Sequence, residues 1–166
     1  MTIRFLCWVL LFNLGLSACS KEDFTAHAAG IEAKPIALKV YKSPSCSCCG
    51  AWIEGLQNEG FTVSVEHPED LYALKKDLGI ASPFQSCHTA VSKEGYLFEG
   101  HIPHKFIRQF LSNPPSGAFG LSVPGMPVGS PGMEMGDRFM PYQVLQLNKD
   151  GTTAVYAEVK SPEDQR

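Results

Sequence analysis

The sequence has no cluster of basic side chains. Its 14 Lys and Arg residues are outnumbered by 17 Asp and Glu residues, and the formal net charge is -3. Proteins that bind nucleic acid normally carry a basic patch or stripe on one face. The sequence also shows no Ser-His-Asp arrangement, no phosphate-binding loop and no paired carboxylates. Nucleic-acid binding is therefore excluded, and the common hydrolytic and nucleotide-binding sites are not indicated.

The N-terminal apolar run is too short to cross a bilayer as a helix. It spans residues 5–16, follows Arg4, and has the length of the hydrophobic region of a secretory signal peptide. We therefore predict a signal peptide over residues 1–18 and export to the periplasm. The cysteines of an exported domain meet oxidising conditions, in which disulfides persist.

The end of this run resembles a lipoprotein export signal. Leu16-Ser17-Ala18-Cys19 is similar to the lipobox of bacterial lipoproteins, in which the signal is cut before the cysteine and the cysteine carries lipid. The resemblance implies a lipid anchor at Cys19, and Ser20 rather than Asp at the next position favours the outer membrane. The alternative is a plain small-residue cleavage site near Ala18, with Cys19 as an incidental thiol.

The composition of the chain is that of a globular protein. Hydrophobic residues make up 44% and charged residues 19% of the sequence. We predict one folded domain over residues 36–160. A polar, Ala-rich tether over residues 19–35 is expected before it, and a polar tail over residues 161–166 after it.

Hydrophobic periodicity predicts an ordered series of strands and helices in this domain. Strands are expected at 37–41, 61–65, 89–92 and 96–99, and helices at 48–58, 68–78 and 103–111. The first strand, helix and strand have the length of a parallel βαβ unit, and the whole order is that of thioredoxin. We therefore predict an α/β, thioredoxin-like fold with a central mixed sheet flanked by helices.

A Pro/Gly-rich segment follows the last of these helices. It spans residues 113–141, and a loop of this length in a small domain is usually functional or disordered. Two further strands are predicted after it, at 142–147 and 153–158, joined by the turn Asn148-Lys149-Asp150-Gly151. The predicted fold thus carries a Pro/Gly/Met-rich loop and a C-terminal strand pair.

The predicted mature domain keeps four cysteines with unusual spacing. Two structural disulfides are the default in an oxidising compartment, but Cys46, Cys48 and Cys49 lie within four residues. Cys46 and Cys49 form a C-x-x-C pair at the opening of a helix, where free N–H groups and the helix dipole stabilise a thiolate. Cys48 extends the motif to C-x-C-C, which suits a multinuclear thiolate metal site. The alternative is a structural disulfide between Cys46 and Cys49, with Cys48 spare.

Further soft donors occur later in the chain. In a thioredoxin-like protein the residue leading into the third strand faces the redox turn, and Cys87 falls near that position. The next residue, His88, is a candidate ligand or a structural imidazole. Met126 and Met133 lie in the Pro/Gly loop rather than at helical spacing, and thioether donors together with thiolates favour Cu(I) over zinc. The alternative for the methionines is a hydrophobic flap over the site.

The remaining aromatic and imidazole side chains are weaker candidates. His67, His101 and His104 receive no assigned role, although His101 lies near the expected pocket and His104 is expected to be exposed on a helix. Trp52, one turn after Cys49, is expected to pack beside the site rather than to belong to it.

Several spaced motifs together resemble one known family. They are Cys46-x-Cys48-Cys49-Gly50-x-Trp52, Ser86-Cys87-His88-Thr89-Ala90, Gly95-Tyr96, Glu99-Gly100-His101-Ile102-Pro103, Val123-Pro124-Gly125-Met126-Pro127 and Gly129-Ser130-Pro131-Gly132-Met133-Glu134. Over residues 37–158 the sequence is similar to CopG, a thioredoxin-like periplasmic copper family long described as a domain of unknown function. The resemblance implies a role in copper resistance through redox interconversion of Cu(I) and Cu(II), with a periplasmic redox or copper-efflux partner.

The resemblance also implies which residues bind copper. The implied ligands are Cys46, Cys48, Cys49 and Cys87, with His88, Met126 and Met133 as further candidates. Two other functions stay open at this point. One is a thiol-disulfide oxidoreductase in which Cys46 attacks and Cys49 resolves. The other is passive storage or delivery of copper without turnover.

Overall fold

The structure, a computed structural model, describes residues 35–166 and is organised around one mixed β-sheet. Its strands are β1 (Ile36–Lys42), β2 (Phe61–Glu66), β3 (His88–Ser92), β4 (Leu97–Glu99), β5 (Ala118–Ser122), β6 (Tyr142–Asn148) and β7 (Thr153–Val159). Its helices are α1 (Ser47–Asn58), α2 (Leu71–Asp77) and α3 (His104–Ser112), with short 3-10 turns at Ser82–Phe84 and Pro162–Gln165. The predicted signal peptide, the predicted anchor Cys19 and the tether up to residue 34 lie outside the described residues.

The first four strands have the thioredoxin arrangement. β1 pairs in parallel with β2, while β3 runs antiparallel to β1 and β4 runs antiparallel to β3. The spatial order is β2-β1-β3-β4, with α1 as the crossover between the parallel strands. The predicted order of elements is found, and the predicted boundaries differ from the observed ones by three residues or fewer. The prediction of an α/β, thioredoxin-like fold is confirmed.

The hydrophobic core joins α1 to the sheet. Leu38 and Val40 are buried on one face of β1, as the period of two in a strand requires. Trp52 and Leu56, which are four residues apart and therefore on one side of α1, are fully buried in the same cluster. Burying a large apolar side chain contributes roughly 1.5–3 kcal/mol. This packing holds α1, and with it the cysteines of its first turn, firmly against the sheet.

α2 buries a lysine among the leucines of its inner face. Its three leucines are partly buried: Leu71, Leu74 and Leu78. Lys75 is fully buried. A lysine is almost never fully buried unless its charge is paired, and the partner of Lys75 is the buried carboxylate of Glu99 at the end of β4. Lys75 lies on the same side of α2 as the three leucines, so this face combines apolar packing with a buried ion pair.

The segment predicted as one long loop contains a strand. β5 pairs in parallel with β4 and antiparallel with β6, so the C-terminal strand pair joins the same seven-stranded sheet. Gly120 makes β5 a poor strand by propensity, but the sheet requires a glycine there because a Cβ would lie 2.1 Å from the carbonyl oxygen of Leu97. The loop that remains, called the Met loop below, covers residues 123–141.

The C-terminal residues are attached to the Met loop. Ser161 and Asp164 form a capping box for the last 3-10 turn. The side chain of Gln165 donates to the carbonyl of Gly129 (3.0 Å) and accepts from the hydroxyl of Tyr142 (2.7 Å). The predicted polar tail therefore forms a turn of helix. None of the helices in residues 35–166 has the length and apolar character that a membrane span needs.

Candidate metal centre

The first turn of α1 gathers three cysteines. The chain turns at Ser43-Pro44-Ser45, where the backbone N–H of Cys46 donates to the carbonyl of Ser43 (3.2 Å), and Cys46 becomes the N-cap of α1. Cys48 and Cys49 follow in the first helical turn, and the Sγ atoms of Cys46 and Cys48 lie 3.5 Å apart. Cys49 is buried, whereas Cys46 and Cys48 are partly exposed. The mouth of the helix thus presents a compact group of sulfur atoms that is open to an incoming metal ion.

Two of these cysteines form a disulfide. Cys46 is bonded to Cys49, and Cys48 and Cys87 are free thiols. This pairing is the alternative that the sequence left open for the C-x-x-C motif, and the default of two disulfides is not found among the described cysteines. A disulfide sulfur is not a thiolate ligand, so a site of four thiolates requires this bond to be reduced.

Cys87 approaches the group from the neighbouring strand. It immediately precedes β3, whose first residue His88 pairs with Lys42 at the end of β1. The chain leaves β1 at that point and enters the turn to α1, so the antiparallel pairing brings Cys87 to the same place. The Sγ atoms of Cys46, Cys48, Cys49 and Cys87 all lie within 4.8 Å of one another. The expected placement of Cys87 opposite the C-x-C-C motif is confirmed, while the role of these cysteines as ligands stays a prediction.

Two imidazoles border Cys87. Its Sγ lies 2.9 Å from Nε2 of His101 and 3.5 Å from Nδ1 of His88. The other ring nitrogen of His101, Nδ1, lies 2.8 Å from the carbonyl oxygen of Pro131. A carbonyl oxygen only accepts, so Nδ1 of His101 carries the hydrogen and Nε2 presents its lone pair to Cys87. Cys87, His88 and His101 form a second group of possible metal donors that shares Cys87 with the first.

Burial keeps this pocket uncharged before any metal binds. It raises the pKa of the Cys87 thiol to about 11, and the nearby Cys48 adds to the rise. Burial also places the pKa of His88 well below its usual value and lowers the pKa of His101, although the carbonyl of Pro131 and the charge of Glu134 oppose the latter shift. At neutral pH the imidazoles therefore keep a lone pair, and a metal ion that bound here would have to displace the proton of Cys87.

Trp52 fixes the position of His88. The two rings lie 4.3 Å apart between centroids, and both side chains are fully buried. The indole Nε1 of Trp52 donates to the carbonyl of Ile102 (2.9 Å), which ties α1 to the segment after β4. Nε2 of His88 has no hydrogen-bond partner among residues 35–166. Trp52 packs beside the site, as the sequence predicted, and the unpartnered ring nitrogen leaves a donor for a ligand.

The Met loop flanks the site on two sides. The carbonyl of Gly125, next to Met126, accepts a hydrogen bond from the hydroxyl of Ser86, the residue before Cys87. Gly132, next to Met133, packs so closely on α1 that a Cβ there would lie 2.6 Å from the carbonyl oxygen of Cys48. Met126 is 53% exposed, which argues against its being part of a buried hydrophobic flap. The backbone next to Met126 therefore contacts the residue before Cys87, and the backbone next to Met133 packs on the first turns of α1.

Two further histidines in residues 35–166, His67 and His104, are not part of the site. Nδ1 of His67 lies 2.8 Å from the carbonyl oxygen of Lys42. His104, which the sequence expected to be exposed, is buried, and its Nδ1 lies 3.0 Å from the carboxylate of Glu59. Gly55 makes room for this imidazole, because a Cβ at Gly55 would lie 2.5 Å from it.

His101 is the site residue to which the sequence pattern assigned no role. Gly100 before it has a φ of +80°, and a Cβ at Gly100 would collide with Val123 and Ser86. This tight turn directs the chain after β4 back towards the cysteines. The signal that points to His101 is the Glu99–Pro103 motif, in which a required glycine immediately precedes a histidine.

The chain is similar to one described family and to two solved structures. Residues 84–133 match the family described as "Protein of unknown function, DUF411". No curated protein matches the chain. Two solved structures, named Copper resistance protein copG Form 1 and Form 2, are each 42% identical to it with a TM-score of 0.71. Each match covers 75% of this chain and 98% of the other.

The chain belongs to the CopG family. The resemblance predicted from the spaced motifs is therefore confirmed. The matched residues 84–133 contain Cys87, His88, His101, Met126 and Met133, whereas the C-x-C-C motif lies outside them. Of the residues in the matched segment, Cys87 lies next to the cysteines of α1.

Proposed function

We propose that this protein acts in copper resistance by binding Cu(I) at the group formed by Cys46, Cys48, Cys49 and Cys87. The observation that carries the proposal is the convergence of four sulfur atoms with two imidazoles that share Cys87 as a neighbour. Thiolates select soft metals such as Cu(I) and zinc, and imidazole also suits copper. Copper rather than another soft metal is favoured because the solved relatives are named copper resistance proteins.

The number of donors supports a site for more than one copper ion. The proposed ligands are the four cysteines, His88, His101, Met126 and Met133. A single ion does not use this many donors, whereas a thiolate that bridges two ions brings several Cu(I) ions into one group. Met126 and Met133 on the Met loop would supply soft, uncharged sulfur, which suits Cu(I).

The Cys46–Cys49 disulfide supports a redox role as well as binding. In the reduced state the pair supplies two thiolates, and in the oxidised state Cys48, Cys87 and the imidazoles still offer donors. We propose that the dithiol of Cys46 and Cys49 reduces two Cu(II) ions. One S–S bond forms, two protons are released to solvent, and each copper ion gains one electron to become Cu(I). A thiol-containing redox partner then reduces the disulfide and restores the dithiol.

We expect the reduced protein to convert Cu(II) to Cu(I) with loss of two thiols for every two copper ions. The physical reason is that the Cα atoms of Cys46 and Cys49 lie 5.4 Å apart at the start of α1, a separation that a disulfide spans. Anaerobic mixing with Cu(II), followed by assay of Cu(I) with a colorimetric chelator and of free thiols with a disulfide reagent, measures both quantities. The Cys46→Ser/Cys49→Ser variant should lose this reaction, and His67→Gln should retain it.

The same experiment separates the two other functions. Binding of Cu(I) without reduction of Cu(II) by the wild-type protein would indicate passive storage or delivery and contradict the redox step. Thiol-disulfide exchange is a second candidate because Cys46 and Cys49 form a disulfide at the start of α1 and Cys46 is partly exposed. Reduction of a disulfide substrate by the metal-free protein, equally fast in wild type and Cys48→Ser, would favour that oxidoreductase function over the copper cycle.

We further propose that the protein is periplasmic and anchored to the outer membrane by lipid at Cys19. The apolar run followed by Leu16-Ser17-Ala18-Cys19 supports this proposal. Metabolic labelling with a radioactive fatty acid should mark the wild-type protein in the outer-membrane fraction. Cys19→Ala should be unlabelled, and equal labelling of the two proteins would contradict the anchor.

A further inference from the structure

A buried ion pair lies behind Cys87. The ammonium of Lys75 on α2 contacts Oε1 of Glu99 at the end of β4, and the two side chains are 1% and 0% exposed. Removing two such charges from water carries a large desolvation penalty, which apolar side chains of similar volume do not pay. The copper site proposed above uses neither residue as a ligand. A buried charge pair at this place is therefore better explained by a specific role than by packing alone.

The pair holds both backbone groups of one residue. The N–H of Ser86 donates to Oε1 of Glu99 (2.6 Å), and the ammonium of Lys75 donates to the carbonyl of Ser86 (2.6 Å). Oε2 of Glu99 accepts from the hydroxyl of Thr89 (2.5 Å). Because β3 begins at His88, the sheet ladder does not reach Ser86. The side chains of Lys75 and Glu99 replace that ladder for the residue that precedes Cys87.

We propose that Lys75 and Glu99 are positioning residues that clamp the backbone of Ser86 and thereby fix the sulfur of Cys87 between the C-x-C-C motif and His101. The clamp acts on the peptide immediately before Cys87, so a change in its direction moves Sγ away from Nε2 of His101, which lies at 2.9 Å. Preorganised sites lose function when a supporting contact lets a ligand move by about 1 Å. The consequence for copper rests on the proposed function, whereas the clamp itself rests on the hydrogen bonds alone.

The proposal is tested with variants that separate positioning from stability. Lys75→Met leaves a buried carboxylate without its partner and will destabilise the fold. Lys75→Met/Glu99→Met removes both charges, and such replacements often restore or increase stability. The double variant cannot hold the N–H and carbonyl of Ser86. Glu99→Gln keeps an acceptor for Ser86 and should behave between the wild type and the double variant. Val144→Ala, a truncation of a buried side chain on β6, controls for lower stability alone.

The first readout needs no copper. In the metal-free, oxidised protein, alkylation by iodoacetamide followed by peptide mass spectrometry reports Cys48 and Cys87 separately. We expect the rate at Cys87 to rise several-fold in the double variant while the rate at Cys48 changes little, and Val144→Ala should match the wild type. An unchanged rate at Cys87 in the double variant, with the protein folded by circular dichroism, overturns the clamp.

The second readout is Cu(I) affinity by competition with a chelator. Loss of a residue that orients a metal ligand typically costs ~10–100-fold in affinity, and this is the loss expected for the double variant relative to both wild type and Val144→Ala. A double variant with wild-type affinity overturns the proposal. If the wild type itself binds no Cu(I) but Cys87 alkylation still rises in the double variant, the proposed function fails and the clamp stands.

Discussion

Replacing Cys87 by alanine is expected to reduce Cu(I) affinity of the reduced protein by at least ~10-fold and to lower the number of copper ions bound. Loss of an outer contact to a metal ligand already costs ~10–100-fold, and Cys87 is proposed to bind the metal directly. It is also the residue that connects the two donor groups, because its Sγ lies 2.9 Å from Nε2 of His101 and within 4.8 Å of the other sulfurs. Competition with a colorimetric Cu(I) chelator measures both affinity and stoichiometry.

Companion variants decide whether this loss reflects ligation. Cys48→Ala should also lower the copper capacity, since Cys48 is a free thiol in the same group. Cys87→Ser keeps the size of the side chain but offers a hard oxygen donor, so it should resemble Cys87→Ala. His67→Ala, outside the site, should bind copper like the wild type. Unchanged copper stoichiometry in both Cys48→Ala and Cys87→Ala would refute the sulfur site.

Truncating Trp52 to alanine is expected to lower the free energy of unfolding by ~3–5 kcal/mol, the usual cost of emptying a large aromatic site in a core. Trp52 is fully buried, packs 4.3 Å from the ring of His88 and donates to the carbonyl of Ile102. Its loss removes a contact between α1 and the segment that carries His101. Urea unfolding followed by far-ultraviolet circular dichroism measures the change as a shift in midpoint at constant slope.

Trp52→Phe provides the matched control for this prediction. It keeps an aromatic ring beside His88 but leaves the carbonyl of Ile102 without its indole donor. Leaving a buried polar group unpaired costs about 1–3 kcal/mol, so Trp52→Phe should be less destabilised than Trp52→Ala. Equal losses in the two variants would mean that the hydrogen bond, rather than ring packing, is what Trp52 contributes.

The redox state of Cys46 and Cys49 decides how many thiolate donors the site offers. The disulfide removes Cys46 and Cys49 from the set of thiolate donors but leaves Cys48 and Cys87 free beside His101. In the proposed copper cycle the oxidised protein therefore keeps part of its metal donors at each turnover. A structural disulfide pair alone would not require the third cysteine of the motif, whereas the proposed cycle uses it as a retained donor.

The sequence by itself determined the features that depend on residues close together in the chain. The C-x-C-C motif at a helix start, the strand at 37–41 and the packing of Trp52 one turn after Cys49 are short-range patterns, and each appears in the structure as predicted. The spaced motifs also predicted the CopG family, which the solved relatives confirm. These features could be predicted because neighbouring residues fix them.

Only the tertiary structure decided the features that depend on residues far apart in the chain. β5 exists because Gly120 fits against the backbone of Leu97, although its composition is that of a loop. Lys75 faces inward because Glu99, from another element, pairs with its charge. His101 joins the pocket because the turn at Gly100 aims its ring at Cys87 and the carbonyl of Pro131 fixes its tautomer. In each case the deciding partner is distant in sequence, and no local pattern records its position.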